Sequence, residues 1–444
     1  MKKYKHKLFP LLLIGFLQVF LNLCFAKEKG LNIPHKPYNV VIISIDTLRA
    51  DHLGCYGYYR DTSPNIDKLA KDGILFEQAI AQANWTVPSH SALFTSKYLV
   101  LYGAQNFGKL SDSEVTLAEL LKAQGYKTAA FTGRGDVSSI YGFNQGFDVF
   151  DEGTADIAWS RGFKDTVPLA LNWIKENKND KFFVFLHGYD MHEPYRHPNK
   201  DIFDPGYKGF VDNVSPNDFF FRRIFNFHYL DENNNIIKIS QRDIDHIVAH
   251  YDSGIRYVDA WIGEFFQGLK KDGVLENTII IILSDHGEEF GERGIIGRHK
   301  GSSYDEVIHV PLIIKYPHSK PGRIKTQAQL IDVMPTILDF LNVPKNNKAH
   351  GNSLLPLIGG KADPSFNKFV YSSSNVIRSL KWKAVFTSRH ELYDLESDPK
   401  EKNNLVMEKT ELFLRLYVKL LEWRKESEEK PQFQKDWLNN GGYW

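Results

Sequence analysis

The chain has 444 residues, 55 Lys and Arg against 54 Asp and Glu, with 42 % hydrophobic and 25 % charged residues. These are the proportions of a folded globular protein and exclude a disordered, collagen-like or coiled-coil chain. A formal net charge of +1 removes the global electrostatic case for nucleic-acid binding. Two cysteines, Cys24 and Cys55, are too few for a disulfide framework or a cysteine-rich zinc module.

Met1 to Lys7 is basic, Leu8 to Ala26 is almost wholly apolar, and Lys27 opens a polar stretch. Residues 1–26 therefore read as a secretory leader cleaved after Ala26, with an uncleaved membrane anchor as the alternative. Either reading puts the protein in the periplasm or outside the cell, touching a membrane only through this segment. Val40 to Ile45 is a continuous apolar run ending in Asp46, as expected of a strand buried on both faces of a parallel sheet. Ser63 to Gly73 reads as a helix with Pro at its start and Gly at its end. An amphipathic helix follows at Glu114 to Gly125, then a strand at Lys127 to Phe131, a helix at Asp165 to Glu176, and a strand at Phe182 to Leu186 that runs into His187. Pro198 to Lys238, rich in Asn, Asp, Phe and Gly, reads as an insertion or lid. Beyond it lie a long helix from Tyr251 to Gly273 and a strand from Thr278 to Leu283 that ends in Ser284-Asp285-His286. A strand at Val310 to Lys315 and a helix at Leu330 to Leu341 complete the pattern.

Strands alternating with helices predict an α/β domain over 37–341 with a mainly parallel sheet. The polar clusters follow strand C-terminal ends, where open α/β sheets bind ligands. After Asn342 the short strand-like pieces Phe369 to Ser372, Lys383 to Thr387 and Leu392-Tyr393, with a charged helix from Glu408 to Glu426, predict a small α+β subdomain over 342–444.

An Asp at the end of a buried strand is costly unless paired or bound to a cation. Asp46 and Asp285 both occupy such positions, and His286 adds a nitrogen donor suited to a divalent metal. Each aspartate alone would serve equally as a helix cap; together with the histidine they favour a metal centre. Thr86, in Trp85-Thr86-Val87-Pro88-Ser89-His90, stands before a helix. A hydroxyl beside a helix N-terminus and a cation can lose its proton and act as a nucleophile, the plain alternative being an N-cap. His192 and Lys300 suit the oxygens of a tetrahedral anion, and His187, His192 and His299 suit acid–base work. Taken singly, each would pass for a packed histidine or a solvated lysine. Phe219-Phe220-Phe221-Arg222-Arg223 is either a pocket wall for a sugar, lipid or aryl group or a surface or oligomer contact.

In their order these clusters resemble the sulfatase family of the alkaline-phosphatase superfamily, from about Tyr38 to Val406. Asp46 with Leu48-Arg49-Ala50-Asp51 is similar to the first metal segment, and 86–95 (TVPSHSALFT) to the signature Cys/Ser-x-Pro-Ser-Arg-x-x-Leu-x-Thr. Residues 185–195 (FLHGYDMHEPY) resemble the segment with an anion-binding histidine, here His192. Residues 284–288 (SDHGE) resemble the second metal segment, Lys300 the anion-binding lysine, and 391–399 (ELYDLESDP) with Asn403-Asn404-Leu405 the C-terminal signature. The resemblance implies an alkaline-phosphatase-like α/β sandwich with a small C-terminal subdomain. It also implies hydrolysis of a small-molecule, glycan or lipid ester, and one divalent cation, Ca²⁺ in the family, held here by Asp46, Asp285, His286 and the Thr86 oxygen.

Four departures bear on chemistry. Thr86 stands where the family has a Cys or Ser converted to formylglycine, so no formylglycine is expected. His90 replaces the signature Arg, Thr47 replaces a second Asp ligand, and Arg134 follows the strand where a Lys-x-His is usual. The weaker oxygen cage makes Mn²⁺ or Zn²⁺ credible. A threonine ester, lacking a second hydroxyl, must be opened by attack on its central atom, as in threonine-dependent phosphoryl relatives. The expected chemistry is therefore a Thr86 nucleophile acting on a sulfuric, phosphoric or phosphonic ester. Lys300, His192, His90 and Asn106 would hold the non-bridging oxygens, and His299 or His192 would protonate the leaving group. The rival readings are an exported phosphoglycerol- or phosphoethanolamine-type transferase and a sulfatase-like binding protein without catalysis.

Overall fold

The computed structural model describes residues 37–98, 109–154, 161–195, 197–213, 224–231, 233–344, 349–361 and 363–427. The leader, Asn106 and Phe219 to Arg223 lie outside the described residues. The elements in chain order are β1 (Asn39–Ile45), α1 (Pro64–Asp72), β2 (Ile74–Ile80), α2 (Thr86–Thr95), α3 (Leu117–Ala123), β3 (Lys127–Phe131) and β4 (Val149–Asp151). Then come α4 (Phe163–Asn177), β5 (Phe182–Gly188), β6 (Ile224–Phe225), β7 (His228–Leu230), β8 (Ile236–Lys238), α5 (Gln241–Lys271) and β9 (Thr278–Leu283). The chain continues through β10 (Glu289–Phe290), β11 (Ile296–Arg298), α6 (Asp305–Ile308), β12 (His309–Lys315), β13 (Gly322–Ile324), β14 (Ala328–Gln329), α7 (Val333–Phe340) and α8 (Leu355–Ile358). It closes with β15 (Val370–Ser372), β16 (Val376–Arg378), β17 (Trp382–Phe386), β18 (His390–Asp394) and α9 (Thr410–Ser427).

A nine-stranded sheet in the order β13-β2-β12-β9-β1-β5-β3-β4, with β14 also on β2, forms the centre. β1 lies between β5 and β9 and is parallel to both, with Val41 opposite Val184 on one side and Ile280 on the other. β12 runs antiparallel to its neighbours β9 and β2, so the sheet is mixed but mainly parallel, as expected. Successive side chains of β1 enter opposite layers. Val41, Ile43 and Ile45 pack with α1, α4 and α5, and Val40 and Ile42 pack with α2, α3 and α7. Burial on both faces is why the central strands are apolar runs rather than alternating patterns.

Besides several short strands that the sequence did not suggest, two larger elements differ from the expectation. β2 follows α1 after Gly73 alone, and Glu77 and Gln78 in its middle break the apolar run that would have marked it. α5 starts at Gln241, well before Tyr251, under a Ser240 capping box whose hydroxyl accepts from the Asp243 amide at 3.3 Å. The polar residues of its first turns, His246 and His250 among them, obscure the helical period because they face the insertion rather than a hydrocarbon core. That insertion carries a three-stranded antiparallel sheet of β6, β7 and β8. Among the described residues no helix is long and apolar enough to cross a membrane.

The C-terminal strands β15 to β18 form a separate antiparallel meander, with α9 packed on it and Trp423 stacked 4.3 Å from Tyr371. This unit is tied to the large sheet by buried charge. The Lys383 ammonium lies 2.9 Å from Asp305 Oδ1 and 2.7 Å from Glu401 Oε1, and Arg378 Nη2 donates to Asp305 Oδ2 at 2.8 Å. Burial alone would raise the Asp305 pKa, but Arg378 and Lys383 outweigh it and hold the carboxyl well below the usual range. A carboxyl depressed in the folded state stabilises above its unfolded pKa, and the contribution is lost as pH falls through the folded value. Asp305→Asn should therefore lower the unfolding free energy by about 3–5 kcal/mol near neutrality. In denaturant titrations the gap to wild type should hold to about pH 5 and narrow below about pH 4.

Candidate active site

The site forms where β1, β5 and β9 end side by side. Register places Ser44 opposite His187 on β5 and opposite Leu283 on β9, so Asp46, His187 and Asp285 emerge at one edge. Asp46, Thr86, Asp285 and His286 are all buried. One donor atom each from Asp46, Asp285 and His286 lie within 4.8 Å of one another. The His286 Nδ1 hydrogen is committed to the Gly287 carbonyl at 3.0 Å, which leaves a lone pair on Nε2. That lone pair sits 3.3 Å from Asp285 Oδ2 and 3.3 Å from Thr86 Oγ1. Asp46 Oδ1 and Asp285 Oδ2 have no hydrogen-bond donor. Burial first, then the charges of Asp285, Asp136 and Glu288, push the Asp46 pKa well up. Two uncompensated carboxylates and an imidazole lone pair facing one point fit a divalent cation and little else.

Backbone geometry fixes these donors. Thr47 turns the chain with a left-handed φ of 55°, a conformation β-branched residues rarely adopt. Its amide donates to Asp285 Oδ1 at 3.3 Å, and the Tyr251 hydroxyl donates to its carbonyl at 2.8 Å. The Ser284 hydroxyl accepts from the Leu48 amide at 2.9 Å, and Ser89 Oγ donates to the Asp285 carbonyl at 2.6 Å. Arg49 points away, gripping Asp51 through Nε and Nη2 at 2.9 Å each, so Asp51 belongs to that pair rather than to the centre.

Thr86 opens α2, whose ten residues are all buried. Its hydroxyl donates towards Asp46 Oδ2 at 3.4 Å, beside a helix N-terminus that favours negative charge. His90, one turn on, gives its Nδ1 hydrogen to the Thr86 carbonyl at 3.0 Å and takes a hydrogen bond from Ser44 at 2.9 Å. Both ring nitrogens are thus engaged inside the protein. His90 stands behind Thr86 rather than over the substrate oxygens assigned to it from sequence, because the helix turns its ring inward. His187 accepts from the Gly133 amide on Nδ1 and directs Nε2 towards Asp46 Oδ2 at 3.5 Å. Burial, then the nearby histidines, holds it well below the usual histidine pKa.

The outer rim is built from His192, His299 and Lys300. The His299 ring lies 4.2 Å from that of His286 and 5.5 Å from that of His192. Lys300 Nζ lies 4.5 Å from the ring of Trp85, the residue before Thr86. Arg134 instead turns to Glu152 Oε1 at 3.5 Å, held by its own left-handed backbone. Three groups were not singled out from sequence. Glu288 Oε1 accepts from His299 Nδ1 at 3.2 Å, and its other oxygen accepts from the Tyr195 hydroxyl. Burial, then Glu193, raises the Glu288 pKa. The Tyr189 hydroxyl accepts from the Asp136 amide at 2.9 Å. Asp136 is near enough for Lys300 and His286 to favour its charge, though burial dominates and raises its pKa. Glu288 was legible as the last residue of 284–288, the stretch that resembles the second metal segment; Asp136 had no local signal.

The chain is similar to known proteins along most of its length. The family model described as Sulfatase matches residues 38–343. The chain belongs to the sulfatase family. A second model, described as N-sulphoglucosamine sulphohydrolase, C-terminal, matches residues 291–426. An arylsulfatase of Clostridium perfringens is 25 % identical over 87 % of this chain and 95 % of its own. An N-acetylglucosamine-6-O-sulfatase of Bacteroides thetaiotaomicron is 25 % identical over 83 % of this chain and 82 % of its own. Among solved structures, the phosphonate monoester hydrolase of Agrobacterium radiobacter superposes with a TM-score of 0.69 at 21 % identity, over 88 % of this chain and 96 % of that one. A protein in complex with its substrate D-glucosamine-2-N,6-O-disulfate superposes at 0.71 with 20 % identity, over 89 % and all of that chain. The fold is the alkaline-phosphatase-like sandwich anticipated from sequence, and this sulfatase-family protein is a hydrolase acting on ester bonds.

Gly287 lets the metal segment pass under α6, where a Cβ would stand 2.2 Å from the Glu306 carbonyl oxygen. Gly287→Ala should cost about 1–3 kcal/mol of stability, read by denaturant titration.

Proposed function

We propose that this sulfatase-family protein is a metal-dependent hydrolase that cleaves phosphate or phosphonate esters through a covalent Thr86 ester. The observation that carries the reading is Thr86 Oγ1 at the start of a buried helix, 3.3 Å from the His286 lone pair and 3.4 Å from Asp46. Asp46, Asp285 and His286, with the Thr86 oxygen, would hold one divalent cation. Bound there, it would lower the Thr86 pKa and offset charge developing on the central atom. The imidazole among the donors favours Mn²⁺ or Zn²⁺ over Ca²⁺.

The chain's own groups then have distinct tasks. The hydrogen bond to Asp46 gives the Thr86 proton a way out, and Thr86 Oγ attacks the central atom in line. Lys300 and His192 hold non-bridging oxygens, with Asn106 assigned there from sequence. As the bond to the leaving oxygen breaks, His299 gives that oxygen a proton from Nε2 while Glu288 holds its Nδ1 side. Water next attacks the central atom of the threonine ester, His299 takes its proton, and the Thr86 oxygen leaves, recovering from Asp46 the proton it gave up. The phosphorus preference rests on residue 86: threonine lacks the second hydroxyl through which a formylglycine hydrate expels sulfate. The leaving group is a small molecule, glycan or lipid alcohol. Residues 1–26 would direct the chain out of the cytoplasm.

Purified protein loaded separately with Ca²⁺, Mn²⁺ or Zn²⁺ should cleave one aryl alcohol faster as its phosphate or phosphonate ester than as its sulfate. Thr86→Ala should lose on the order of 10⁴-fold or more in kcat, whereas Thr86→Ser keeps measurable turnover. Faster sulfate cleavage would overturn the phosphorus reading, and an active Thr86→Ala would overturn the nucleophile. His299→Ala should lose on the order of 10²–10⁴-fold with alkyl leaving groups and far less with acidic phenols. An equal loss across the series would remove His299 from the leaving-group role.

A further inference from the structure

Away from this centre, the insertion meets α5 through an unusual group. His246 and His250 lie one turn apart on α5 and face Asp201 and Asp212, with one donor atom from each of the four inside a 4.8 Å span. His246 is 1 % exposed. Its Nδ1 pairs with Asp204 Oδ2 at 2.7 Å, and Asp204 is itself gripped by Arg242 Nη1 and Nη2 at 2.5 and 2.7 Å. Held by Arg242 on both oxygens, the Asp204 carboxylate accepts from His246 Nδ1. The buried Nε2 has no hydrogen-bond partner. It points towards another carboxylate oxygen, Asp212 Oδ1, at 3.5 Å. A buried ring nitrogen without a partner, facing a carboxylate oxygen at this distance, is a place where a cation can lie between the two.

We propose that Asp201, Asp212, His246 and His250 form a second divalent-metal site, filled by Zn²⁺, that ties the insertion to α5. Two imidazoles and two carboxylates are a donor set that four-coordinate zinc accepts. Asp204 supplies the outer hydrogen bond that fixes a ligating histidine's tautomer. His250, one turn after His246, brings its Nε2 to 3.0 Å from Asp201 Oδ1. The charges around the group are Asp201, Asp204 and Asp212 against Lys200 and Arg242, leaving a net negative charge with neutral rings. Lys200, 3.3 Å from Asp212 and 3.8 Å from Asp201 with a half-exposed side chain, is placed to swing away as the metal enters.

The link to the active site is short. His197 Nε2 donates to the His250 carbonyl at 2.9 Å, and the same stretch carries His192 and Tyr195. A metal here would clamp the segment that leaves the rim.

The test uses the full chain, stripped with a chelator and titrated with Zn²⁺ alone, with bound zinc counted by elemental analysis. Wild type should bind one zinc more than His246→Ala, and Asp285→Asn should lose a different equivalent, so that the two losses add. Asp204→Asn should keep the count but bind about 10–100-fold more weakly. Co²⁺ in the Asp285→Asn protein should give the visible absorption of a tetrahedral site, absent once His246→Ala is added. Asp212→Asn, a change at a partly exposed position, serves should His246→Ala fail to fold. An unchanged zinc count in both His246→Ala and Asp212→Asn would overturn the proposal.

Discussion

The architecture of the site follows from the burial of two carboxylates beside each other. Asp46 and Asp285 sit at the ends of adjacent parallel strands, each with an oxygen that meets no hydrogen-bond donor. Such a pair repels itself and resists desolvation, so the fold must hold it in place against a local cost. It does so through backbone bonds. The left-handed Thr47, the Ser284 hydroxyl and Ser89 lock both loops together, and Tyr251 of α5 closes the turn from the other layer. Strain at Thr47 is stored where it shapes the centre.

Around this point the histidines divide into two kinds, and their second nitrogens decide which. His90 has both nitrogens engaged and acts on Thr86 by holding its carbonyl. His286 and His299 each commit Nδ1, to a carbonyl and to Glu288, and His286 turns Nε2 towards Thr86 and Asp285. Helix α2 contributes by being buried along its whole length, which places the N-terminal partial charge against a low-dielectric surface. Under the proposed function a threonine at its start suits attack but not the elimination open to a hydrated aldehyde.

The C-terminal meander belongs to this picture although it contributes no reacting group. It grips the segment that carries His299 and Lys300. Arg293 donates to the Lys400 and Glu401 carbonyls at 3.0 and 3.3 Å and stacks 4.0 Å over Tyr304, whose hydroxyl reaches Glu391. The buried Lys383–Asp305–Arg378 cluster closes the same edge. The rim is thus held from behind by ion pairs strengthened by burial.

Much of this was legible in the amino-acid order, because the strands bury both faces and write themselves as apolar runs. Asp46, Thr86, Asp285 and His286 were readable because each stands just beyond such a run or just inside a helix start. The rest lacked a local signal. β2 was hidden by Glu77 and Gln78, and the start of α5 by histidines that answer carboxylates in a distant insertion. His90 looks from sequence like a substrate ligand, and only packing turns both of its nitrogens inward. Asp136 and Tyr189 approach the centre through strand order, and the partnership of Glu288 with Tyr195 spans a loop. Sequence set the strand cores and the donor types, since those depend on neighbours in the chain. Tertiary structure decided which nitrogens, carboxylates and hydroxyls face one another, since hydrogen-bond commitments are made across elements far apart in sequence.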